Sequence, residues 1–341
     1  MPLSEESGGL GGAGIEAMII MQHLGKHLVL EPYLSSVILA GGLVDLCGSE
    51  FQKKVLVPEL VAGEGKLAFA HAEQLNDEGG AALETTATQK GNNWVLRGQK
   101  KLVLGGATAD RFIISAKTRE DGEKVGVTLF IVESLDERIS GKAYPLLDGS
   151  RVLDIQLNDL EVGPESVLGT IDQAQSFIDS VNDRATAAVF SEALGIMEVI
   201  HEMTMDYLRT RKQFGSALSQ FQVLQHRAVD MFINIEEVRS LVMHAAGQAW
   251  SEDSRERVRA VSAAKALTNR AGRLVAQEAI QLHGGMGMTQ ELPLADFVRR
   301  LLSIELMFGG ERFQRRRFVN ADEQAVDSSV FVSPKKRWEQ I

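Results

Sequence analysis

Three observations predict an α+β fold in which helices are followed by strands and then by helices again. The apolar period changes from helical to extended near residue 65 and returns to helical near residue 169. Proline is absent from 165 to 292, which suits long uninterrupted helices. No Gly-x-Gly-x-x-Gly follows a predicted strand, so a doubly wound nucleotide-binding sheet is disfavoured. Gly9, Gly11 and Gly14 have that spacing but follow no strand, and read as a loop. Strands segregated from helices indicate separate layers or domains.

The parts divide at 1–64 (helical), 65–168 (a β-barrel or sandwich), 169–322 (a helical bundle) and 323–341 (a tail). In the first, Ala17, Ile20, Met21 and Leu24 form the stripe of an amphipathic helix, and 34–47 and 50–61 are further helices. In the second, runs such as Trp94–Leu96, Arg111–Ser115 and Val127–Val132 are rich in β-branched and aromatic residues. Turn signals at Asp77–Gly80, Gly91–Asn93 and Asp121-Gly122 separate them, predicting a small antiparallel barrel or sandwich. In the third, Phe221, Leu224, Ala228, Met231, Ile235, Val238, Val242 and Ala245 keep one face apolar, as in an antiparallel bundle. Segments 171–210 and 254–283 read as similar long helices, and 293–307 as a shorter one.

Composition narrows the function. A chain of 341 residues, 44% hydrophobic and 24% charged, can build a core without metals or disulfides. Its single cysteine, Cys47, excludes an internal disulfide and fits a reducing compartment. A net charge of −10 argues against nucleic-acid binding. Apolar runs such as Ser36–Val44 fall short of the ~20 residues that span a bilayer, so no membrane insertion is expected. The N-terminus has the features of neither a secretory signal nor a transit peptide, implying a cytoplasmic protein. His23 and His27 are four apart, but no Glu follows His23 and no third ligand is apparent, so no metal site is expected.

Two segments carry candidate chemistry. Arg211-Lys212-Gln213-Phe214-Gly215, with Phe221-Gln222 after it, interrupts two helical patterns. Arginine at such a corner can fork onto phosphate oxygens and an aromatic can cover a ring. Read alone, it is more simply a solvated loop with one aromatic anchored in the core. Gln281-Leu282-His283-Gly284-Gly285-Met286-Gly287 has adjacent glycines that let backbone amides approach a ligand. Read alone, it is also an ordinary helix C-cap and turn.

Together these segments resemble the acyl-CoA dehydrogenase family, which reads Arg-x-x-Phe-Gly, Phe-Gln, then Gln-x-x-Gly-Gly-x-Gly with Glu-x-Pro, here Glu291-Leu292-Pro293. Pro2–Gly11, Leu67–Glu73 and Trp94–Lys100 resemble the family's glycine-rich opening, the strand before its flavin loop and its Leu-x-Gly-x-Lys hairpin. The resemblance implies an N-terminal helical domain, a middle β domain, a C-terminal four-helix bundle and FAD held at a subunit interface. By position, Arg211, Gln213, Phe214 and Gln222 would meet a neighbour's FAD, as would Gln281, Gly284 and Gly285. Phe69, His71, Ala72 and Leu104 would line the flavin ring. The implied chemistry is removal of an α-proton from an acyl-CoA thioester, with hydride transfer to flavin N5.

The sequence departs from that pattern. Phe308 or Gly309 occupies the place of the family's usual catalytic glutamate, and neither can take a proton. Glu305 and Glu311 are nearby but misplaced. Some members carry the base on the first long C-terminal helix beside an arginine, and Asp183-Arg184 resembles that pair, slightly early. Asp183 is therefore the candidate base, or else a helix cap, with Glu192 a weaker alternative. Gln74–Glu78 lacks the family's Pro-x-x-Gly-Ser, Ala72 lacks a hydroxyl, and Leu102 and Leu104 stand where Trp and Thr are usual. The chain also begins later than the family pattern, implying that the first helices are missing.

These losses suggest a heteromeric member whose second acyl-CoA dehydrogenase chain shares the site, acting on a bulky (steroid side-chain) or dicarboxylic acyl-CoA. A homo-oligomer, and an acceptor such as an electron-transfer flavoprotein, remain within the same reading. The alternatives are a non-catalytic scaffold subunit, or a related flavin oxidase or monooxygenase component.

Overall fold

A computed structural model describes residues 2–73, 83–119 and 126–323. The altered flavin-loop sequence Gln74–Glu78, the Asp121-Gly122 turn and the tail beyond 323 lie outside them.

The N-terminal part holds α1 (Gly14–Lys26), a wide-turned π-helical segment (Tyr33–Gly41), α2 (Gly42–Cys47) and α3 (Glu50–Ala62). Glu16 accepts the Ala13 amide at 2.8 Å and so fixes the start of α1. Ser49 and Gln52 cap α3 reciprocally. Within α1, Gly25 lies where a Cβ would be 2.2 Å from the carbonyl oxygen of Glu192. Gly195 meets the carbonyl of Gln22 in the same way. Only glycine allows two helix backbones to approach so closely.

The middle part contains β1 (Leu67–Ala70), β2 (Thr86–Lys90), β3 (Asn93–Leu104), β4 (Arg111–Arg119), β5 (Gly126–Glu133), β6 (Ile139–Pro145), β7 (Arg151–Val162) and β8 (Val167–Leu168). They form one eight-stranded sheet in the order β6-β7-β3-β2-β4-β5-β8, with β1 on β4. The predicted antiparallel pairing needs correction at β4, against which β1 and β2 both run parallel. Alternation decides the packing: Ala68, Ala70, Phe112 and Ile114 enter the sheet's own core, while Leu67, Phe69 and Ile113 face the helices.

The C-terminal part holds α4 (Gln175–Thr210), a finger of β9 (Lys212–Gln213) and β10 (Ser216–Ala217), α5 (Gln222–Gln248), α6 (Ser254–His283), α7 (Leu294–Leu306) and α8 (Glu311–Glu323). The last helix was not anticipated. One apolar core joins this bundle to the N-terminal helices and to one face of the sheet.

No helix among the described residues is long and apolar enough to cross a membrane.

Candidate functional site

A cleft of about 290 Å³ opens where the N-terminal helices, the sheet and the bundle meet. Its mouth is formed by Val29, Leu30, Thr108 and Arg151, all exposed. Its inner end is formed by Met21, Leu34, Glu192 and Arg300, all buried. Leu104, at the end of β3, and Met307, just after α7, also line it.

The inner end is charged. Arg300 donates from Nε and Nη2 to the two oxygens of Glu192 at 2.6 and 2.8 Å. Its Nη1 donates to Asp148 at 2.7 Å. Burial works against the guanidinium's charge, but Glu192 and Asp148 outweigh it and hold its pKa above the usual value. Burial likewise raises the Asp148 carboxyl, yet hydrogen bonds from Ser150 and Arg300 hold it below the ordinary range.

Asp183, expected as the base, does not line this cleft. It is fully buried between Arg257, at 3.0 Å, and Arg317, at 2.6 Å, tying α4 to α6 and α8. The nine residues from Asp183 to Glu192 make two and a half turns, at about 3.6 residues per turn, and so place the two on opposite sides of α4. The carboxylate that α4 sends into the cleft is Glu192. From the segment where the family's base would lie, Met307 enters the cleft, while Phe308 packs on the core and its carbonyl accepts from Gln314.

At the end of β1, Phe69 and His71 stack with ring centroids 5.3 Å apart. His71 Nδ1 is 2.9 Å from Ser115 Oγ. Lys100 lies behind them, fully buried, donating to Glu73 at 2.6 Å and to the His71 carbonyl at 3.2 Å. Burial, helped by the charge of Lys100, pushes His71 down to about 4, so its ring is neutral at pH 7. Burial pushes Lys100 down to about 8 against the pull of Glu73. The Ala72 carbonyl accepts from the Lys101 amide. Ala72 and Leu104 bring no hydroxyl to this region.

The remaining candidates form a second group. Tyr207, near the end of α4, stacks on His283, at the end of α6, with centroids 4.5 Å apart. The Arg211–Phe214 finger and the Gly284-Gly285 turn therefore leave the bundle side by side. Phe214 is 90% exposed at the fingertip, with φ +56°, and Gly215 follows at +82°. Both residues of a tight hairpin turn adopt such values. Arg211, Gln213, Gln222 and Gln281 are exposed, and open space surrounds both glycines of the turn. An exposed aromatic beside a solvent-facing guanidinium, with no described residue covering either, suits a phosphate and a flat ring. At about 1.5 Å per residue, the eighteen residues from Glu192 to Thr210 put the finger roughly 27 Å along α4 from the cleft.

Sequence reasoning missed Arg300 and Asp148. Arg300 falls on the buried stripe of α7, beside Phe297, Leu301 and Ile304, and a charge on an apolar stripe was the available signal.

Comparison with known proteins agrees with this geometry. The profile of the acyl-CoA dehydrogenase middle domain matches residues 68–157, and that of the acyl-CoA dehydrogenase C-terminal domain matches residues 182–321. A 3-(aryl)acrylate reductase of Clostridium sporogenes is 28% identical over 92% of this chain and 84% of its own. Butyryl-CoA dehydrogenase from Megasphaera elsdenii is 26% identical, with a TM-score of 0.86 over 94% of this chain and 86% of its own. The ChsE4–ChsE5 complex from Mycobacterium tuberculosis contains a chain 26% identical, with a TM-score of 0.84 over 95% of this chain and 84% of that one. With both domains matched, and with the three-part fold shared along nearly its whole length, this chain belongs to the acyl-CoA dehydrogenase family of FAD-dependent flavoproteins.

Proposed function

We propose that the chain is a subunit of a heteromeric acyl-CoA dehydrogenase, in which a second chain completes the active site. The observation that carries this reading is Met307, which lines the cleft from the segment where the family's proton-abstracting glutamate is expected. Bound FAD supplies the hydride acceptor for α,β-dehydrogenation. This chain's residues do the rest. Phe69, His71, Ala72 and Leu104 form the surface against the ring. Arg151, at the mouth, offers a cation to the phosphates of CoA. Arg211, Gln213 and Phe214, with Gln222, Gln281 and the Gly284-Gly285 turn, meet the diphosphate and adenine of FAD across a subunit boundary. The finger's distance from the cleft favours that division, because it places the two groups too far apart to share one ring system. The residues present fit the diphosphate end well, and at the ring end they leave the contacts to His71 and backbone groups.

Proton removal falls to a partner's carboxylate, because Glu192 is paired with Arg300 at the buried end of the cleft, where the far end of an acyl chain and not its α-carbon would reach. The occurrence of the ChsE4–ChsE5 pair as a complex supports such a division. An electron-transfer flavoprotein is the acceptor class we assign.

The test expresses the chain alone and together with candidate partner chains of the same family, then measures flavin absorbance and reduction of an artificial acceptor with acyl-CoA. Turnover is expected only from the pair. A chain that is yellow and dehydrogenates acyl-CoA unaided sinks the split-site reading. Failure of both preparations to bind flavin favours a scaffold without cofactor.

A further inference from the structure

The cleft narrows toward charge instead of hydrocarbon. Glu192 and Arg300 both line its buried end, and Asp148, whose side chain is fully buried, supports Arg300 from behind. A guanidinium carries five N–H donors. Three of them go to these carboxylates, leaving one on Nη1 and one on Nη2. Glu192 accepts from no other described residue, so each of its oxygens keeps an acceptor position. Two carboxylates and one guanidinium sum to a charge of −1.

This arrangement judges an incoming acyl chain by its far end. A methyl group would desolvate the triad and return no hydrogen bond. A carboxylate would add a second net negative charge in a place of low dielectric, where like charges repel strongly. A hydroxyl can accept from a spare Arg300 N–H and donate to Glu192, and it satisfies both without adding charge. Displacing Arg300 to make room is no alternative, because it would leave two buried carboxylates unpaired.

We propose that the Glu192–Arg300–Asp148 triad is a specificity-determining site that favours acyl groups carrying a neutral hydroxyl at their far end and excludes those ending in a carboxylate. The proposal rests on reading the cleft as an acyl-CoA site. It narrows that reading to hydroxylated acyl-CoA thioesters and away from dicarboxylic ones.

Isothermal titration tests it on the flavin-loaded protein, together with any chain that purifies with it. The probes are acyl-CoAs of increasing length in matched sets ending in methyl, hydroxyl or carboxylate. At the length that reaches the triad, the hydroxyl form is expected to bind about tenfold more tightly than the methyl form, the size of one buried hydrogen bond. The carboxylate form is expected to be weakest. Glu192→Gln keeps the side chain's size and removes one negative charge, so it should raise affinity for the carboxylate form by about tenfold or more. Should that variant not fold, Asp148→Asn, on the turn before β7, removes the same unit of charge and must shift affinity the same way. Equal affinity for all three ends at every length, or tightest binding of the carboxylate form, overturns the proposal while leaving the acyl-CoA reading intact. Absence of binding by any acyl-CoA overturns that reading itself, and the proposal with it.

Discussion

Arg300 grips both oxygens of Glu192, at 2.6 and 2.8 Å, although 108 residues separate the two in sequence. Both side chains are nearly out of water, so removing one partner leaves the other as an uncompensated buried charge. Arg300→Leu should therefore cost about 3–5 kcal/mol. Glu192→Leu combined with Arg300→Leu should recover part of that, because no charge is stranded on α4. Urea unfolding of both single variants and the double variant decides it. Additive losses would mean that the pair is not coupled as the geometry requires.

The approach of α1 to α4 depends on Gly25. Alanine has the better helix propensity by roughly 1 kcal/mol, so propensity alone predicts that Gly25→Ala stabilises. Packing predicts the reverse, because the new Cβ would meet the Glu192 carbonyl oxygen at 2.2 Å. Backbone cannot rotate away as a side chain can, so packing should win with a net loss of about 1–3 kcal/mol. Gly247→Ala in α5 is the control, since its Cβ would meet nothing within 4 Å. Thermal melts should move in opposite directions for the two. A stabilised Gly25→Ala protein would show that α1 lies further from α4.

How much of this was legible depends on the range of the interaction. The long helices α4 to α7 followed from their apolar period, which is local. The finger at Arg211 and the turn at Gly284 followed from residue types adjacent in sequence. Which carboxylate enters the cleft was not legible, because the face of α4 that Asp183 occupies is set by Arg257 and Arg317 on two distant helices. Glu192 reads from the sequence only as the weaker alternative to Asp183, because Arg300, the residue that lets it be buried, belongs to another helix. The parallel pairing of β1 and β2 on β4 was likewise hidden, since alternation reports which face is buried and says nothing of strand direction.

Among the described residues, the ring of Phe214 pairs only with Phe221, edge-on at 6.2 Å between centroids. Phe214→Ala should change the stability of the isolated chain by less than about 0.5 kcal/mol, as an exposed substitution does. If a cofactor or neighbouring subunit covers the ring, its burial is worth about 1.5–3 kcal/mol. FAD affinity should then fall by roughly ten- to a hundredfold in the assembled protein. Fluorescence titration of the apoprotein with FAD reads this directly. Unchanged affinity would remove the fingertip from the cofactor site.

Lys265 lies fully buried in α6, donating to Asn269 Oδ1 at 2.8 Å and to the Ile304 carbonyl at 2.6 Å, in the last turn of α7 before Met307. Burial pushes its pKa down to about 7, against the pull of Glu305, from 10.5 in an unperturbed lysine. Between those values the unfolded chain binds a proton that the folded chain does not. Stability must therefore rise as pH increases from about 7 toward 10.5, and the gain is absent below the folded value. Lys100, pushed down to about 8, adds a second rise over the upper part of the same window. Lys265→Met should abolish the part that begins near pH 7 and keep the part that begins near 8. Urea midpoints measured across this range give the slopes. Coincident slopes for the wild type and the variant would mean that Lys265 keeps an ordinary pKa and that its ammonium reaches water, contrary to its position beneath the last turn of α7.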